Sequence, residues 1–214
     1  MNLSIADLRQ NYTLAGLKEA DAAADPIDQF ASWFQQALDA RLNEPNAMSL
    51  ATVSPDGFPT ARIVLLKHFD PAGFVFYTNY NSIKGRHLQQ NPRAALVFWW
   101  AELERQVRIE GKVAKMPALE SDRYFNSRPR NSQLGAWVSA QSEVIPNREI
   151  LEQKFSKLDR EYANKTIPRP PHWGGFRVIP AAIEFWQGRP SRLHDRLRYR
   201  LLKGGDWLRE RLSP

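Results

Sequence analysis

Arg192, His194 and Arg196 are the residues whose types and spacing point first to chemistry, in the run Arg192-Leu193-His194-Asp195-Arg196. Read as a β-strand, residues two apart share a face, so two guanidiniums and an imidazole point one way. Leu193, Asp195 and Leu197 then point the other way. Such a face suits an anionic, planar, hydrogen-bonding ligand. A solvent-facing edge strand, charged to discourage aggregation, fits the same pattern.

Four further segments carry groups suited to anions or to polar ring atoms. Arg62-Ile63-Val64-Leu65-Leu66-Lys67 reads as a strand whose apolar centre belongs in a barrel wall, with a cation at each end. Arg62 and Lys67 reach a phosphate in one reading and sit in water in the other. Phe76–Asn81 runs from a strand towards a helix that Ser82 would cap, which places free N–H groups and Lys84 at the positive end of the helix dipole. The alternative is a capped helix with a solvated lysine. Tyr124, Arg128 and Ser132 are spaced four apart, but Pro129 pushes Arg128 out of the α region. Arg128 therefore ends one helix and Ser132 starts the next, both near Tyr124, as a phosphate clamp; Tyr124 as a half-buried core aromatic is the other reading. Gln106 shares a strand face with Glu104 and Arg108, while Gln141 and Ser142 offer an amide and a hydroxyl to ring polar atoms. His68, His87 and His172 lack metal-ligand spacing and read as structural or surface residues.

These groups must be positioned by a mainly β scaffold. Residues 1–24 read as a loosely packed arm, followed by Asp25-Pro26 as N-cap and first turn of a helix to about Leu42. Ile27, Phe30, Trp33, Phe34 and Leu38 form its apolar stripe. Strands are expected at Met48–Val53 and Thr60–Lys67, a hairpin around Ser54-Pro55-Asp56-Gly57, and at Gly73–Thr78, Ala94–Trp100 and Arg105–Ala114. Helices are expected at Ser82–Gln90, Ala118–Ser127, Ser132–Val138 and Arg148–Tyr162. A Pro-rich linker at 166–172 leads to strands at Phe176–Gln187, Arg192–Arg200 and Trp207–Arg211. Short strands with inserted helices predict one α+β, mainly β domain over 1–214, an antiparallel barrel with packed helices.

The chain has 214 residues, 43% hydrophobic and 25% charged, enough for a proper core. It has no cysteine, which excludes disulfides, thiol nucleophiles and Cys-ligated metals and fits a cytoplasmic protein. No apolar run approaches a membrane span, and no secretory signal is visible. Between Arg189 and Arg211 eight basic residues face three acids, which puts +5 of the formal +7 in one short segment. Without a nucleic-acid-binding module or a Lys/Arg-rich tail, small anionic ligands are the better expectation than nucleic acid.

Taken in chain order, these segments resemble the pyridoxamine 5'-phosphate oxidase family. The colinear series comprises Arg62-Ile-Val-Leu-Leu-Lys67, Tyr77-Thr-Asn-Tyr80, Leu103-Glu-Arg-Gln-Val107, Tyr124-Phe-Asn-Ser-Arg-Pro129, Gly135-Ala-Trp-Val-Ser-Ala-Gln-Ser142, Trp173-Gly-Gly-Phe-Arg177, Phe185-Trp-Gln-Gly188 and Arg192-Leu-His-Asp-Arg196. It runs from about Leu8 to Pro214. The resemblance implies an FMN-binding split β-barrel, homodimeric, with FMN at the subunit interface. The activity implied is oxidation of pyridoxamine and pyridoxine 5'-phosphates to pyridoxal 5'-phosphate by O2, with release of H2O2.

By the same resemblance, the FMN residues are Arg62, Ile63, Val64, Leu65, Leu66, Lys67, Tyr77, Thr78, Lys84, Gln106, Gln141, Ser142, Trp186 and Arg196. Lys67, Tyr124, Arg128 and Ser132 would grip the substrate phosphate, and Arg192 and His194, the catalytic pair, would lie over the pyridine ring. Arg9 and Tyr12 match an N-terminal element that closes over substrate. Ile83 departs from the pattern, standing where the family often has an arginine on the FMN phosphate. That loss costs on the order of 1–3 kcal/mol of affinity unless Arg86, one turn on, replaces it. A different split-barrel flavoprotein would keep the flavin residues but not Tyr124, Arg128, Ser132, Arg192 and His194, all of which are present. A basic binding module for nucleic acid or pyridoxal phosphate is favoured by net charge alone. No metal and no membrane partner are implied.

Overall fold

The computed structural model describes residues 11–214. In chain order the elements are α1 (Pro26–Asp39), β1 (Ala47–Val53), β2 (Pro59–Leu65), β3 (His68–Asp70), β4 (Gly73–Asn79), α2 (Ile83–Gln90), β5 (Arg93–Trp100), β6 (Arg105–Lys115), α3 (Ala118–Ser127), α4 (Arg130–Val138), α5 (Glu149–Glu161), β7 (Trp173–Gln187), β8 (Asp195–Leu201) and β9 (Trp207–Arg211). The fold is mainly β, as the pattern of short strands requires. The chain forms two compact units. Among the described residues, one comprises 11–50 with Ala95–Gly111 and Pro180–Pro214; the other comprises Ala51–Ala94 and Lys112–Ile179.

In the first unit, α1 starts where its sequence dictates: the Asp25 side chain accepts from the Ile27 N–H at 2.6 Å and Pro26 occupies the first turn. Phe30, Trp33 and Ala37 are buried along one stripe. Leu38 is not part of it, being 46% exposed one step around the helix from Ala37. The helix stops at Asp39 rather than Leu42, because Arg41 adopts φ 54 and breaks the ladder. Strands β5, β6, β7, β8 and β9 lie side by side in that order. The core between helix and sheet is aromatic: Phe30 meets Phe98 at 5.2 Å, Trp33 meets Phe185 at 5.2 Å, and Phe185 meets Tyr199 at 5.7 Å between centroids.

The expected strand Arg192–Arg200 is corrected here. Strand β8 begins at Asp195, opposite Gln187 of β7. Pro190–Arg192 is a 3₁₀ turn in which Ser191 and Arg192 take left-handed φ of 58 and 60. Arg192 and His194 therefore precede the strand, and two-residue alternation does not set their directions.

The second unit holds β2, β3, β4 and the helices α2 to α5, with β6, β7, β4 and β3 adjacent in that order. The Ser54–Phe58 turn closes through Ser54 N to Phe58 O at 2.9 Å, with Gly57 at φ 86. Strand β4 pairs antiparallel with β7, Tyr77 opposite Gly175 and Thr78 opposite Gly174. Strand β3, too short to show a sequence pattern, pairs with β4. Ser82 caps α2, its hydroxyl accepting from Gly85 N at 3.3 Å and donating to Asn79 O at 2.7 Å. Gly85 is demanded by close approach, since a Cβ there would run into the Tyr80 carbonyl. Phe125, Leu134, Ile167 and Trp173 form the helical core, with Tyr77, Tyr124, Phe155 and Leu158 packed against it.

Candidate active site

A cavity of about 640 Å³ lies wholly within the second unit, large enough for a drug-sized ligand. Strand β2 supplies Arg62, Ile63, Val64 and Leu65; the chain beyond it supplies Lys67. Leu66, just beyond the end of β2, is not in the cavity lining and is buried in the core. Arg62 donates to Thr52 Oγ1 at 2.7 Å and Thr60 Oγ1 at 2.6 Å, and burial holds its pKa below the usual arginine value.

The end of β4 and the start of α2 build one polar group. Thr78 Oγ1 donates to Gln141 Oε1 at 3.1 Å, and Lys84 Nζ donates to the same oxygen at 3.2 Å and to Thr78 Oγ1 at 3.5 Å. Burial, with Arg62 nearby, lowers the Lys84 pKa. Ser142 is not in the cavity wall; its hydroxyl accepts from Ile83 N at 3.3 Å, and its own φ is 77. Arg86 donates to Asn81 O at 2.6 Å and to Glu143 at 2.9 Å and does not line the cavity.

Opposite these residues in the lining stand Tyr124, Arg128 and Ser132. As Pro129 requires, Arg128 is extended (φ −75, ψ 148) between α3 and α4. Ser132 N donates to Pro129 O at 2.8 Å, and the Gln133 amide donates to Phe125 O and Arg128 O at 3.1 Å each, which fixes the corner. Tyr77 stacks on Tyr124 at 3.9 Å and on Trp173 at 5.5 Å. The Arg128 guanidinium lies over the Trp173 ring at 4.5 Å. Its Nη1 is buried without a hydrogen-bond partner among the described residues. Burial lowers the Arg128 pKa and raises that of Tyr124. Trp173 was not foreseen as part of this wall; nothing in the spacing ties it to residues 45 or more positions earlier.

The first unit carries the other group of expected residues. The rings of Trp186 and His194 are 4.6 Å apart, and Tyr12 stands edge-on to each at 5.7 Å. Arg189 N donates to His194 Nδ1 at 3.1 Å, so the ring proton belongs on Nε2. Burial and then the charge of Arg192 push the His194 pKa down. Arg196 donates to Glu184 at 2.8 Å and to Ser213 O at 2.8 Å, and the hydrogen bond to Glu184 raises its pKa. Gln106 lies on β6, half-buried. Arg9 lies outside the described residues.

The basic C-terminal segment is largely compensated internally. Arg198 pairs with Glu210 at 2.8 Å, and Arg211 pairs with Glu19 at 2.6 Å and Asp195 at 2.8 Å. His68 contacts Asp70, His87 contacts Thr52 Oγ1 and His172 contacts Ala136 O. Among the described residues no three His, Asp or Glu side chains cluster as a metal site, and no helix is long and apolar enough to cross a membrane.

A family model described as pyridoxamine 5'-phosphate oxidase matches residues 34–160. A second, described as the pyridoxine 5'-phosphate oxidase C-terminal dimerisation region, matches residues 173–214. The chain is 64% identical over 214 residues to a pyridoxine/pyridoxamine 5'-phosphate oxidase of Gloeothece citriformis, covering all of both chains. It is 60% identical over 212 residues to the protein of that name from Synechocystis, covering 99% of each. Among solved structures it resembles PhzG of Burkholderia lata, crystallised with tetrahydrophenazine-1-carboxylic acid. The TM-score is 0.89 at 31% identity, over 96% of this chain and all of that one. A pyridoxamine 5'-phosphate oxidase-related, FMN-binding protein of Nostoc punctiforme shares the fold at TM-score 0.72 and 17% identity, over 89% of this chain and 98% of that one.

Proposed function

The chain belongs to the pyridoxamine 5'-phosphate oxidase family, has its split-barrel fold and is an oxidase; on that premise we propose the reaction and the residue roles. The reaction is oxidation of pyridoxine and pyridoxamine 5'-phosphates to pyridoxal 5'-phosphate, in the cytoplasm, by a homodimer carrying FMN at its interface. The match of residues 173–214 to a dimerisation region supports the homodimer.

The observation that carries this reading is the unpartnered, buried Nη1 of Arg128 in a cavity that also presents Lys67, Arg62 and Lys84. A buried donor left unpaired costs about 1–3 kcal/mol, and an anionic oxygen removes that cost. The donor set thus fits two phosphorylated molecules. Arg62, Lys84, Thr78 and Gln141 hold the FMN phosphate and ribityl chain, beside Ile63, Val64, Leu65, Leu66, Lys67 and Tyr77. Gln106, Ser142, Trp186 and Arg196 complete the flavin site, some from the partner subunit. Lys67, Tyr124, Arg128 and Ser132 take the substrate phosphate. When bound, FMN would supply a hydride acceptor for the substrate C4' carbon and a route for the electrons to O2 as H2O2; the alcohol then gives the aldehyde directly, and the amine gives an imine that water hydrolyses to the aldehyde and ammonia.

The protein's own work is positioning. Arg192 and His194 hold the pyridine ring in one orientation, with the neutral His194 keeping its proton at Nε2 as a donor. Arg9 and Tyr12 cover the bound substrate. The deciding experiment supplies the purified protein with FMN and either substrate, then follows O2 uptake, pyridoxal 5'-phosphate and H2O2. Equal amounts of aldehyde and peroxide, abolished by Arg192→Ala, are expected. Bound flavin without product from either substrate would overturn the substrate assignment and leave a split-barrel flavoprotein of another specificity.

A further inference from the structure

Residues 12–17 cross the first unit through polar contacts made in two groups. Behind, Leu17 N donates to Asp195 Oδ2 at 3.0 Å, Arg211 donates to Leu17 O at 2.9 Å, and Arg189 donates to Ala15 O at 3.1 Å. Ahead, the Glu104 carboxylate accepts from Thr13 N at 3.3 Å through Oε1 and from Leu14 N at 3.1 Å through Oε2. Among the described residues, the Glu104 carboxylate is the acceptor for the Thr13 and Leu14 amides. Both its oxygens are used on one short stretch of backbone.

The backbone of Glu104 is itself unusual. It closes the 3₁₀ turn Ala101–Leu103 in the left-handed region, φ 53 and ψ 40, where glycine is at ease and other residues are strained. Its carbonyl accepts from Gly188 N at 2.7 Å and from the Gln187 side chain at 3.2 Å. Gly188 in turn admits Tyr12: a Cβ at 188 would lie 2.6 Å from Tyr12 Cγ and 3.0 Å from Glu104 Cβ. A carboxylate thus occupies a position whose conformation favours glycine, and it touches the segment that seats Tyr12 against His194 and Trp186.

We propose that Glu104 is a positioning residue for the oxidase reaction, its carboxylate latching Thr13 and Leu14 so that Tyr12 stays packed over His194. The proposal rests on His194 and Tyr12 serving the substrate, as assigned above. It separates two things that a merely structural role would join. Glu104→Gly removes the carboxylate and relieves the left-handed strain together, so fold stability is kept or raised while the latch is lost. Glu104→Gln keeps one amide oxygen as acceptor and restores part of the latch.

The test compares both variants with the native dimer loaded with FMN. Chymotrypsin cleavage after Tyr12 or Leu14 reads the latch independently of activity, alongside thermal midpoint and steady-state kinetics with pyridoxine 5'-phosphate. For Glu104→Gly the expected result is an unchanged or higher midpoint, faster cleavage, and a KM raised about fivefold with the effect on KM rather than kcat. Glu104→Gln should fall between it and the native protein. Native cleavage rates in Glu104→Gly would overturn the latch; faster cleavage with native KM would overturn its role in the reaction. If the native protein itself makes no pyridoxal 5'-phosphate, the functional reading has failed, and cleavage alone then decides whether the latch exists.

Discussion

Arg128→Met separates binding from stability, because the structure assigns opposite signs to the two. Methionine keeps most of the aliphatic stem and removes the guanidinium. Two stability effects then oppose each other. The cation–π contact with Trp173 is lost, on the order of 1 kcal/mol for a partly buried site. The buried, unpartnered Nη1 disappears, which returns about 1–3 kcal/mol. The thermal midpoint should therefore stay level or rise by a few degrees, at about 2–4 °C per kcal/mol for a chain of this size. Binding has no such compensation. A charge-assisted hydrogen bond to a phosphate is worth about 1.5–3 kcal/mol, so KM for pyridoxine 5'-phosphate should rise roughly ten- to 150-fold. Arg128→Lys should recover part of it, since an ammonium offers a point charge without the fork. Steady-state kinetics and differential scanning fluorimetry on the same preparations give both numbers. A large fall in thermal midpoint with native KM would show that Arg128 serves the fold and would sink the substrate-phosphate assignment.

Two further outcomes follow from the same geometry. Lys84→Met removes the cation bound to Thr78 and Gln141, and should weaken FMN binding about tenfold in a flavin-fluorescence titration while leaving the substrate KM at saturating FMN near native; unchanged FMN affinity would count against that assignment. His194 should titrate below the ordinary histidine value, and Arg192→Gln should move its midpoint upward, followed through the ring C–H signals by NMR. Because folding favours the neutral ring, this contribution to stability is present above the ordinary histidine pKa and is lost as pH falls through the folded midpoint. A midpoint at or above the ordinary value, unmoved in the variant, would refute the environment described.

The parts of the site legible in the sequence are those fixed by local rules. Pro129 dictates an extended Arg128 and a new helix behind it, and Ser82 caps α2 next to Lys84, as found. The failure at Arg192 is equally local: alternation assumes strand dihedrals throughout, and neither serine nor arginine announces a left-handed φ. Leu38 was misplaced for a simpler reason, since apolar type says nothing about which neighbour faces the core. The contacts of Glu104 and Trp173 were not legible because their partners are distant in sequence; Thr13 and Glu104 are 91 residues apart. The basic C-terminal run looked like a surface for anions until Glu19 and Glu184 arrived from elsewhere in the fold to meet it, with Glu210 of the run itself pairing with Arg198.

Burial penalises the charged forms of both Lys84 and Arg128 in one cavity. A protein assembled this way folds against its own charge until anions arrive to relieve it. By mass action, a ligand present at 100 times its Kd adds about 2.7 kcal/mol to the folded state, a large share of a typical domain's total. If FMN is one of those anions, as proposed, its supply would govern how many copies of the protein survive cellular proteolysis as well as how many can turn over.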